Sequence, residues 1–138
     1  MKKYFLMLAL GFSLFAVSQN VELPASSKLA FEKAHPGASK IKYEKEDGNF
    51  EVNFIENGQK MSVVIDAKGH ILETELELKA TELPQTIQLY MKEHYKNITL
   101  KDGAKITKAD GSINYEAAIK GKDVIFDANG KFIKETKD

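Results

Sequence analysis

The chain has 138 residues and no cysteine, and its 20 acidic residues are balanced by 20 basic residues, all of them lysine. This balance leaves no basic field that would attract nucleic acid. The lack of cysteine excludes disulfides, thiol catalysis and thiolate metal sites. The lack of arginine excludes bidentate recognition of phosphates by guanidinium groups.

The N-terminus is typical of a secretory signal peptide, which we place at residues 1–18. Two lysines follow Met1, the stretch Tyr4–Val17 is apolar, and Ala16 and Ser18 are small residues at the positions that a signal peptidase inspects. We therefore predict cleavage near Ser18–Gln19 and export to the periplasm or the medium. About fourteen apolar residues are too few to span a bilayer comfortably, so we expect no stable membrane insertion after cleavage.

The remaining residues, 19–138, suffice for a single domain. Pro24 fits the first turn of a helix, because its missing N–H costs nothing there, and Pro36-Gly37 ends that helix. Alternating apolar and polar residues between Gly-containing turns then predict four strands. These strands are Lys40–Glu46, Asn49–Ile55, Lys60–Asp66 and His70–Leu78. In the last of them the alternation places Leu72 and Thr74 on the core side and Ile71 on the other side.

The second half repeats this order. Pro84 starts a second helix with an apolar stripe, and Asn97–Gly103 is a looser connection than its counterpart. The alternation again predicts four strands, and the central hairpin is about four residues shorter than in the first half. The strands are Lys105–Lys108, Ile113–Ile119, Asp123–Asp127 and Lys131–Glu135.

The two halves also share short motifs. Leu23-Pro24 corresponds to Leu83-Pro84, and the stretch Ile65–Gly69 corresponds to Phe126–Gly130. A repeat of this length indicates a copied supersecondary unit. We predict the α+β class, with two tandem repeats (23–79 and 83–137) that each consist of one helix followed by a four-stranded antiparallel meander. The repeats are expected to form a continuous curved antiparallel surface with the helices on one face.

One helix cannot cover both faces of a four-stranded sheet, so the opposite face should be open and polar. Outward positions of the alternation are rich in Glu and Asn, and a tyrosine at the edge of the layer would offer rigid contact area. The predicted interaction face comprises Tyr43, Glu51, Asn53, Glu73, Glu75, Asn114 and Glu116. Glu73, Glu75 and Glu77 form an acidic row that could bind calcium or a basic partner, although such rows more commonly belong to a sheet face exposed to solvent.

No catalytic constellation is visible. His35, His70 and His94 form no His-Glu-x-x-His motif, no serine lies in a Gly-x-Ser-x-Gly elbow, and no glycine cluster could bind a phosphate. Asp127–Gly130 fits a β-turn better than the start of a calcium loop, because the later glutamate ligand is missing. We predict no catalytic, cofactor-binding or metal-binding residues, no cofactor, and a protein that is not an enzyme.

The duplicated order resembles a known family. Phe50-Glu51-Val52 and Ile65–Gly69 in the first copy, with Tyr115-Glu116-Ala117 and Phe126–Gly130 in the second, are similar to the PepSY-like, beta-lactamase-inhibitor-like (BLIP-like) exported proteins. The resemblance implies a single PepSY-like domain over 19–138, made of tandem helix-plus-sheet repeats. In the namesake inhibitor the concave sheet surface clamps a beta-lactamase. This chain is shorter and lacks cysteine and tryptophan, so no inhibitory residue is carried over.

These features together predict a non-enzymatic exported binding module, for example an inhibitor or regulator of an envelope or secreted enzyme that acts through an open sheet face. The expected partner is another extracytoplasmic protein, not a nucleic acid. The alternative is a small-ligand or metal-ion-binding protein of the bacterial envelope.

Overall fold

The computed structural model describes residues 21–137, so the predicted signal peptide and its cleavage site lie outside the described residues. Two helices and eight strands are present in this range, with one short 3-10 helix at Ala80–Glu82 that the sequence did not indicate. The helices are α1 (Ala25–Ala34) and α2 (Gln85–His94). The strands are β1 (Ser39–Glu46), β2 (Asn49–Glu56), β3 (Gln59–Ile65), β4 (Ile71–Lys79), β5 (Asp102–Lys108), β6 (Ile113–Ile119), β7 (Lys122–Asp127) and β8 (Phe132–Lys137).

The eight strands form one antiparallel meander in which each strand lies beside its neighbour in sequence. This arrangement confirms the α+β class, but the sheet is larger than the predicted four-stranded units. The outer side of β4 is not a free edge, because the Ala109 N–H donates to the Leu72 carbonyl at 2.8 Å. Pairing of this kind satisfies backbone groups that a four-stranded sheet would leave exposed.

Both helices begin immediately after a proline, as predicted. Pro24 and Pro84 occupy the position before the first helical residue, where a missing N–H costs nothing. Each helix ends with a backbone hydrogen bond from the following residue, from His35 to Phe31 at 2.8 Å and from Tyr95 to Met91 at 2.9 Å. These bonds satisfy carbonyl groups at the helix C-terminus that would otherwise have no partner.

The described residues fall into two compact units. The N-terminal unit comprises 21–77 and 105–113, and the C-terminal unit comprises 78–104 and 114–137. In the N-terminal unit, one face of the sheet packs on α1 through a core of buried apolar side chains, to which Tyr43, Phe50, Met61 and Ile71 add partly buried groups. The buried core residues are Leu23, Phe31, Val52, Phe54, Val63 and Ile65.

The C-terminal unit has its own core, built between α2 and the sheet. Two side chains of α2, Ile87 and Met91, contribute to it, and Tyr90, Tyr95 and Tyr115 pack against it. Burial of each large aliphatic or aromatic side chain contributes about 1.5–3 kcal/mol to folding. The buried residues are Leu83, Ile87, Met91, Ala117, Ile119, Val124 and Phe126.

A bulge in the β3–β4 pair corrects one sequence-based prediction. Val64 pairs with Glu73, but Ile65 pairs with Ile71, so that Leu72 is an extra residue in β4. An extra residue reverses the alternation on one side of it. Ile71 therefore packs on the N-terminal core instead of facing away from it.

The same irregularity occurs between β7 and β8, where Ile125 pairs with Lys134 and Phe126 pairs with Phe132. Ile133 is the extra residue here.

The shorter central hairpin of the second half is also confirmed. The β2–β3 ladder extends from the Phe50–Ile65 pair to the Glu56–Gln59 pair. From the equivalent Tyr115–Phe126 pair, the β6–β7 ladder extends only to the Ile119–Lys122 pair.

Candidate functional site

Several carboxylates of the N-terminal unit lie together on the sheet face opposite α1. Residues paired directly across an antiparallel ladder lie on the same face. Glu44 pairs with Glu51, which pairs with Val64, which in turn pairs with Glu73. We call this surface the acidic face and define it by Glu44, Glu46, Glu51, Asn53, Glu73 and Glu75.

Four of the predicted interaction residues lie together on this face. Asn53 pairs with Ser62, and Ser62 pairs with Glu75, which places both predicted residues in the row next to that of Glu51 and Glu73. All four predicted side chains are half-buried. The structure therefore brings Glu51, Asn53, Glu73 and Glu75 together.

The other three predicted residues lie elsewhere. Tyr43 pairs with Val52 and packs against the N-terminal core, so it faces α1 and not the acidic face. Asn114 and Glu116 belong to β6 in the C-terminal unit, where Glu116 pairs with Ile125 and is only 5% exposed. The prediction included Tyr43 as a tyrosine at the edge of the layer, and Asn114 and Glu116 as outward positions of the second copy. Alternation was correct for β6, because Tyr115 and Ala117 are the residues of that strand that pack on the C-terminal core.

Glu46 is a central residue of the acidic face that the prediction missed. Its carboxyl group makes a side-chain hydrogen bond with Glu51. Burial, followed by the charges of Glu51 and Asp47, raises the pKa of Glu46 from 4.5 to about 7. Two carboxyl groups within hydrogen-bond distance cannot both ionise cheaply, so this pair holds a proton near neutral pH.

The signal for Glu46 was present in the sequence. The tight Asp47-Gly48 turn sets the register of β1 against β2, so that Glu46 pairs with Asn49 and Glu44 pairs with Glu51. This register alone places Glu44, Glu46 and Glu51 on one face at the end of a short hairpin.

Two further carboxyl groups of the face are also unfavourable in their ionised form. Burial and the charge of Glu44 raise the pKa of Glu51, although hydrogen bonds with Asn53 and Glu46 oppose this shift. Burial likewise raises the pKa of Glu73, which Lys108 partly offsets.

The compensating lysines lie towards one end of the face. Lys60 forms an ion pair with Glu77 at 3.2 Å, and Lys108 is close enough to Glu73 to affect its ionisation. Within residues 21–137 none of Glu44, Glu46 and Glu51 forms an ion pair. The β1–β2 end of the acidic face is therefore the part that a cationic group would stabilise most.

A cleft of about 290 Å³ lies in the C-terminal unit, between the 3-10 helix, α2 and the connection that precedes β5. Met91, Leu100 and Ile119 line its apolar part, and Thr81 and Gln88 are among its polar residues. Next to it, the Tyr95 hydroxyl donates a hydrogen bond to Glu135, which also binds Lys122 at 2.9 Å. Burial and this hydrogen bond raise the pKa of Tyr95, while hydrogen bonds with Tyr95 and Lys122 lower the pKa of Glu135.

Solved structures with the same architecture come from Bacteroides. A BLIP-like protein from Bacteroides fragilis is 24% identical to this chain, with a TM-score of 0.70, and the match covers 85% of this chain and 87% of that one. A DUF2874 family protein from Bacteroides ovatus is 17% identical (TM-score 0.71; 85% and 89% covered), and a protein from Bacteroides eggerthii provisionally described as periplasmic is 12% identical (TM-score 0.73; 85% and 90% covered). The chain shares its fold with these proteins. No family model and no curated protein matches the sequence.

The described part of the chain has neither a helix suited to cross a membrane nor a set of side chains suited to hold a metal ion. No helix within 21–137 is long and apolar enough to cross a membrane. In the same range no three His, Asp or Glu side chains are arranged to hold a metal ion. The three histidines make other contacts there: His35 binds Glu56 at 2.9 Å, His70 binds Asp66 at 2.9 Å, and the ring of His94 stacks on Tyr90.

Proposed function

We propose that this protein is a non-enzymatic, exported binding module whose acidic face docks a basic segment of another extracytoplasmic protein. An envelope or secreted enzyme that the module inhibits or regulates would be such a partner. The observation that carries the proposal is the hydrogen-bonded pair of Glu46 and Glu51, whose carboxyl groups are partly buried beside Glu44. The pair lies on the face turned away from the core and contributes nothing to packing around α1.

The pair disfavours the folded state at neutral pH, and a cation would reverse this effect. A lysine or arginine of a partner placed between the two carboxylates would favour their ionised forms and displace the shared proton. Clusters of groups with perturbed pKa values occur preferentially at functional sites. The same electrostatics would accelerate association with a basic surface and weaken binding as salt increases.

Export and the nature of the partner rest on separate arguments. The signal-like residues 1–18 and the similarity in fold to proteins described as periplasmic support export. The lack of a basic field argues against nucleic acid as a partner. The similarity to a BLIP-like protein supports a binding role, but at 24% identity it supports the fold more than the target.

We also infer that the two halves are tandem copies of one unit, a helix followed by a four-stranded antiparallel meander. Both helices follow a Leu-Pro pair, and both Asp66 and Asp127 accept hydrogen bonds from the backbone N–H groups two and four residues later. The bulges at Leu72 and Ile133 are equivalent as well. The same irregularity at the same point of both halves supports a duplicated unit.

The proposal can be tested with the immobilised protein and a periplasmic extract of a Bacteroides species. We expect a basic protein to be retained at low salt and released between about 0.1 and 0.5 M salt, because exposed charges are screened over a Debye length of about 10 Å at 0.1 M. Retention that salt does not affect, or no protein retained beyond blank resin, would contradict the docking role of this face.

The cleft of about 290 Å³ in the C-terminal unit favours the alternative function, binding of a small ligand. Ligand sites usually measure about 300–1,000 Å³, so the cleft has room for a fragment-sized molecule only. Thermal unfolding in the presence of calcium, zinc, peptidoglycan fragments and lipid fragments tests this alternative. An increase in midpoint with one of them, abolished by Met91→Trp in the cleft, would support it; no increase with any would exclude these ligands.

A further inference from the structure

Each end of the sheet exposes a strand with a single neighbour within the described residues, and the two edge strands differ in character. The β1 edge is protected. Lys40, Lys42, Glu44, Lys45 and Glu46 are charged, and the ladder is irregular between Ser39 and Lys42, with Lys40 at φ 52°. A residue with positive φ inside the strand distorts the outer edge and hinders a second strand from adding there, and β8 contains no such residue.

The β8 edge is less protected at its beginning. Phe132 and Ile133 are 37% and 47% exposed. The ring of Phe132 lies parallel to that of Tyr90, with centroids 5.6 Å apart, and Tyr90 stacks in turn on His94 at 3.9 Å. The edge therefore presents a backbone available for pairing beside an aromatic surface that is already fixed in position.

In the N-terminal unit, β4 is the strand that corresponds to β8, and its outer side is paired with another strand. Leu72, the bulge residue of β4, accepts a hydrogen bond from the Ala109 N–H at 2.8 Å, and Ala109 directly follows β5. The strand that lies against β4 brings Lys108 towards Glu73, where its charge favours the carboxylate. An acidic strand is thus covered by a strand that carries a lysine.

In β8 the sign of the charge is reversed. Ile133 is the bulge residue equivalent to Leu72, and Lys134 stands where β4 has Glu73. Lys131 and Lys137, at either end of β8, are exposed and form no ion pair with any residue of 21–137. The one acidic residue of the strand, Glu135, is held by Lys122 and Tyr95.

We propose that the outer edge of β8 accepts an extended, acidic segment of a different protein as a ninth strand, with carboxylates near Lys131 and Lys137 and an apolar side chain against Phe132. Strand addition of this kind derives affinity from main-chain hydrogen bonds and specificity from alternate side chains. The inference does not rest on the acidic face, which lies in the other unit and would attract a partner of opposite charge.

A second copy of this chain fits the edge poorly. Two identical antiparallel strands related by a two-fold axis normal to the sheet always place one residue opposite itself. The registers with the greatest overlap for β8 would place Lys134 opposite Lys134, or Glu135 opposite Glu135. Like charges directly opposite each other destabilise a strand pair, so the charges of β8 select a different chain.

The probe for this proposal is an acetylated and amidated peptide of about ten residues with glutamates at both ends and valines between them. Nuclear magnetic resonance of the ¹⁵N-labelled protein should show the largest shifts at 132–137, and amide exchange of β8 should slow at least about tenfold when the peptide is present. The matching lysine–valine peptide should bind at least about tenfold more weakly. Equal binding of both peptides, or binding of neither, would overturn the proposal.

Exposed lysines allow a matched pair of variants. Lys131→Glu/Lys137→Glu should exchange the preference, so that the lysine–valine peptide binds more tightly than the glutamate–valine peptide. Lys42→Glu/Lys45→Glu changes the charge of the β1 edge by the same amount and should leave the preference unchanged. An equal loss in both variants, or a dimer in sedimentation that Ile133→Lys abolishes, would contradict a partner strand at β8.

Discussion

At the scale of one residue, Glu46 of the acidic face lies in an environment that disfavours its ionised form, which folding alone does not require. Its carboxyl group is partly buried, hydrogen-bonded to Glu51 and close to Asp47, and together these raise its pKa to about 7. Because the folded chain holds this proton more tightly than the unfolded chain, the protonated form of Glu46 contributes to stability. The contribution is complete below about pH 4.5 and is lost as the pH rises through about 7.

Replacing Glu46 by Gln should therefore have an effect that depends on pH. Near pH 8 the variant should be more stable than the wild type by about 1 kcal/mol, a figure reduced from the full shift because the side chain is partly exposed to solvent. Below about pH 3.5 the gain should disappear, because Glu46 is then largely protonated in both the folded and the unfolded chain. Urea unfolding at a series of pH values measures the difference.

Glu93→Gln provides the control for that series, since Glu93 is an exposed residue of α2 and the charge change is the same. Its effect on the free energy of unfolding should stay within about 0.5 kcal/mol at every pH. A gain for Glu46→Gln that is equal at all pH values would mean that the proton shared with Glu51 is not its cause.

At the scale of the elements, the turn between β3 and β4 binds the sheet to α1. Ser26 and Ser27 of α1 donate hydrogen bonds to the carbonyls of Ala67 and Asp66 at 2.7 Å. Gly69 closes this turn at φ 90°, and a Cβ atom there would lie 2.7 Å from the Ser26 carbonyl oxygen. The close approach of α1 thus depends on the absence of a side chain.

Gly69→Ala should destabilise the fold more than Gly48→Ala, although both glycines have positive φ. At Gly48, where φ is 83° and nothing lies within 4 Å of the added atom, the cost should be only the backbone strain of about 1 kcal/mol. At Gly69 the helix must also move, so the cost should exceed that by at least about 1 kcal/mol. Thermal unfolding of the two variants measures this difference, and equal costs would show that α1 does not press on the turn.

Most of the element order could be predicted from the sequence, because turn chemistry in this chain is strong and local. The Asp47-Gly48 and Asn57-Gly58 turns and the prolines before both helices set the boundaries that the structure has. What could not be predicted depends on pairing between strands. The bulge at Leu72 places Ile71 on the core, and alternation within one strand contains no information about an extra residue.

The candidate site was predictable to a similar extent. Alternation in β2 and β4 correctly grouped Glu51, Asn53, Glu73 and Glu75. Tyr43, which was included as a tyrosine at the edge of the layer, pairs with Val52 on the core side and does not join them. Glu46 was missed because its importance comes from a hydrogen bond across the β1–β2 hairpin, which depends on register and burial rather than on composition.

At the scale of the whole molecule, two cores are built from one chain. Residues of both β4 and β5 are divided between the N-terminal and the C-terminal unit. A strand shared in this way cannot lose its pairing in one unit without affecting residues of the other. We therefore expect the described part of the chain to unfold in a single cooperative transition.

Phe31→Ala tests this expectation from the N-terminal core, where Phe31 is 1% exposed. The substitution should cost about 3–5 kcal/mol, and the unfolding midpoints reported by amides of both units should fall together. Leu29→Ala on the same helix is the control, because Leu29 is 68% exposed and should change stability by less than about 0.5 kcal/mol. Separate midpoints for the two units would contradict cooperative unfolding.

The central claim is that the carboxyl pair on the acidic face favours binding at the expense of stability. The most direct test combines two readouts on Glu46→Gln/Glu51→Gln: the free energy of unfolding near pH 8, and the affinity for the basic protein retained from periplasmic extract. We predict that this variant is more stable than the wild type but binds at least about tenfold more weakly, whereas Glu32→Gln/Glu93→Gln, on the exposed sides of the helices, changes neither. A variant that binds as tightly as the wild type would contradict the account.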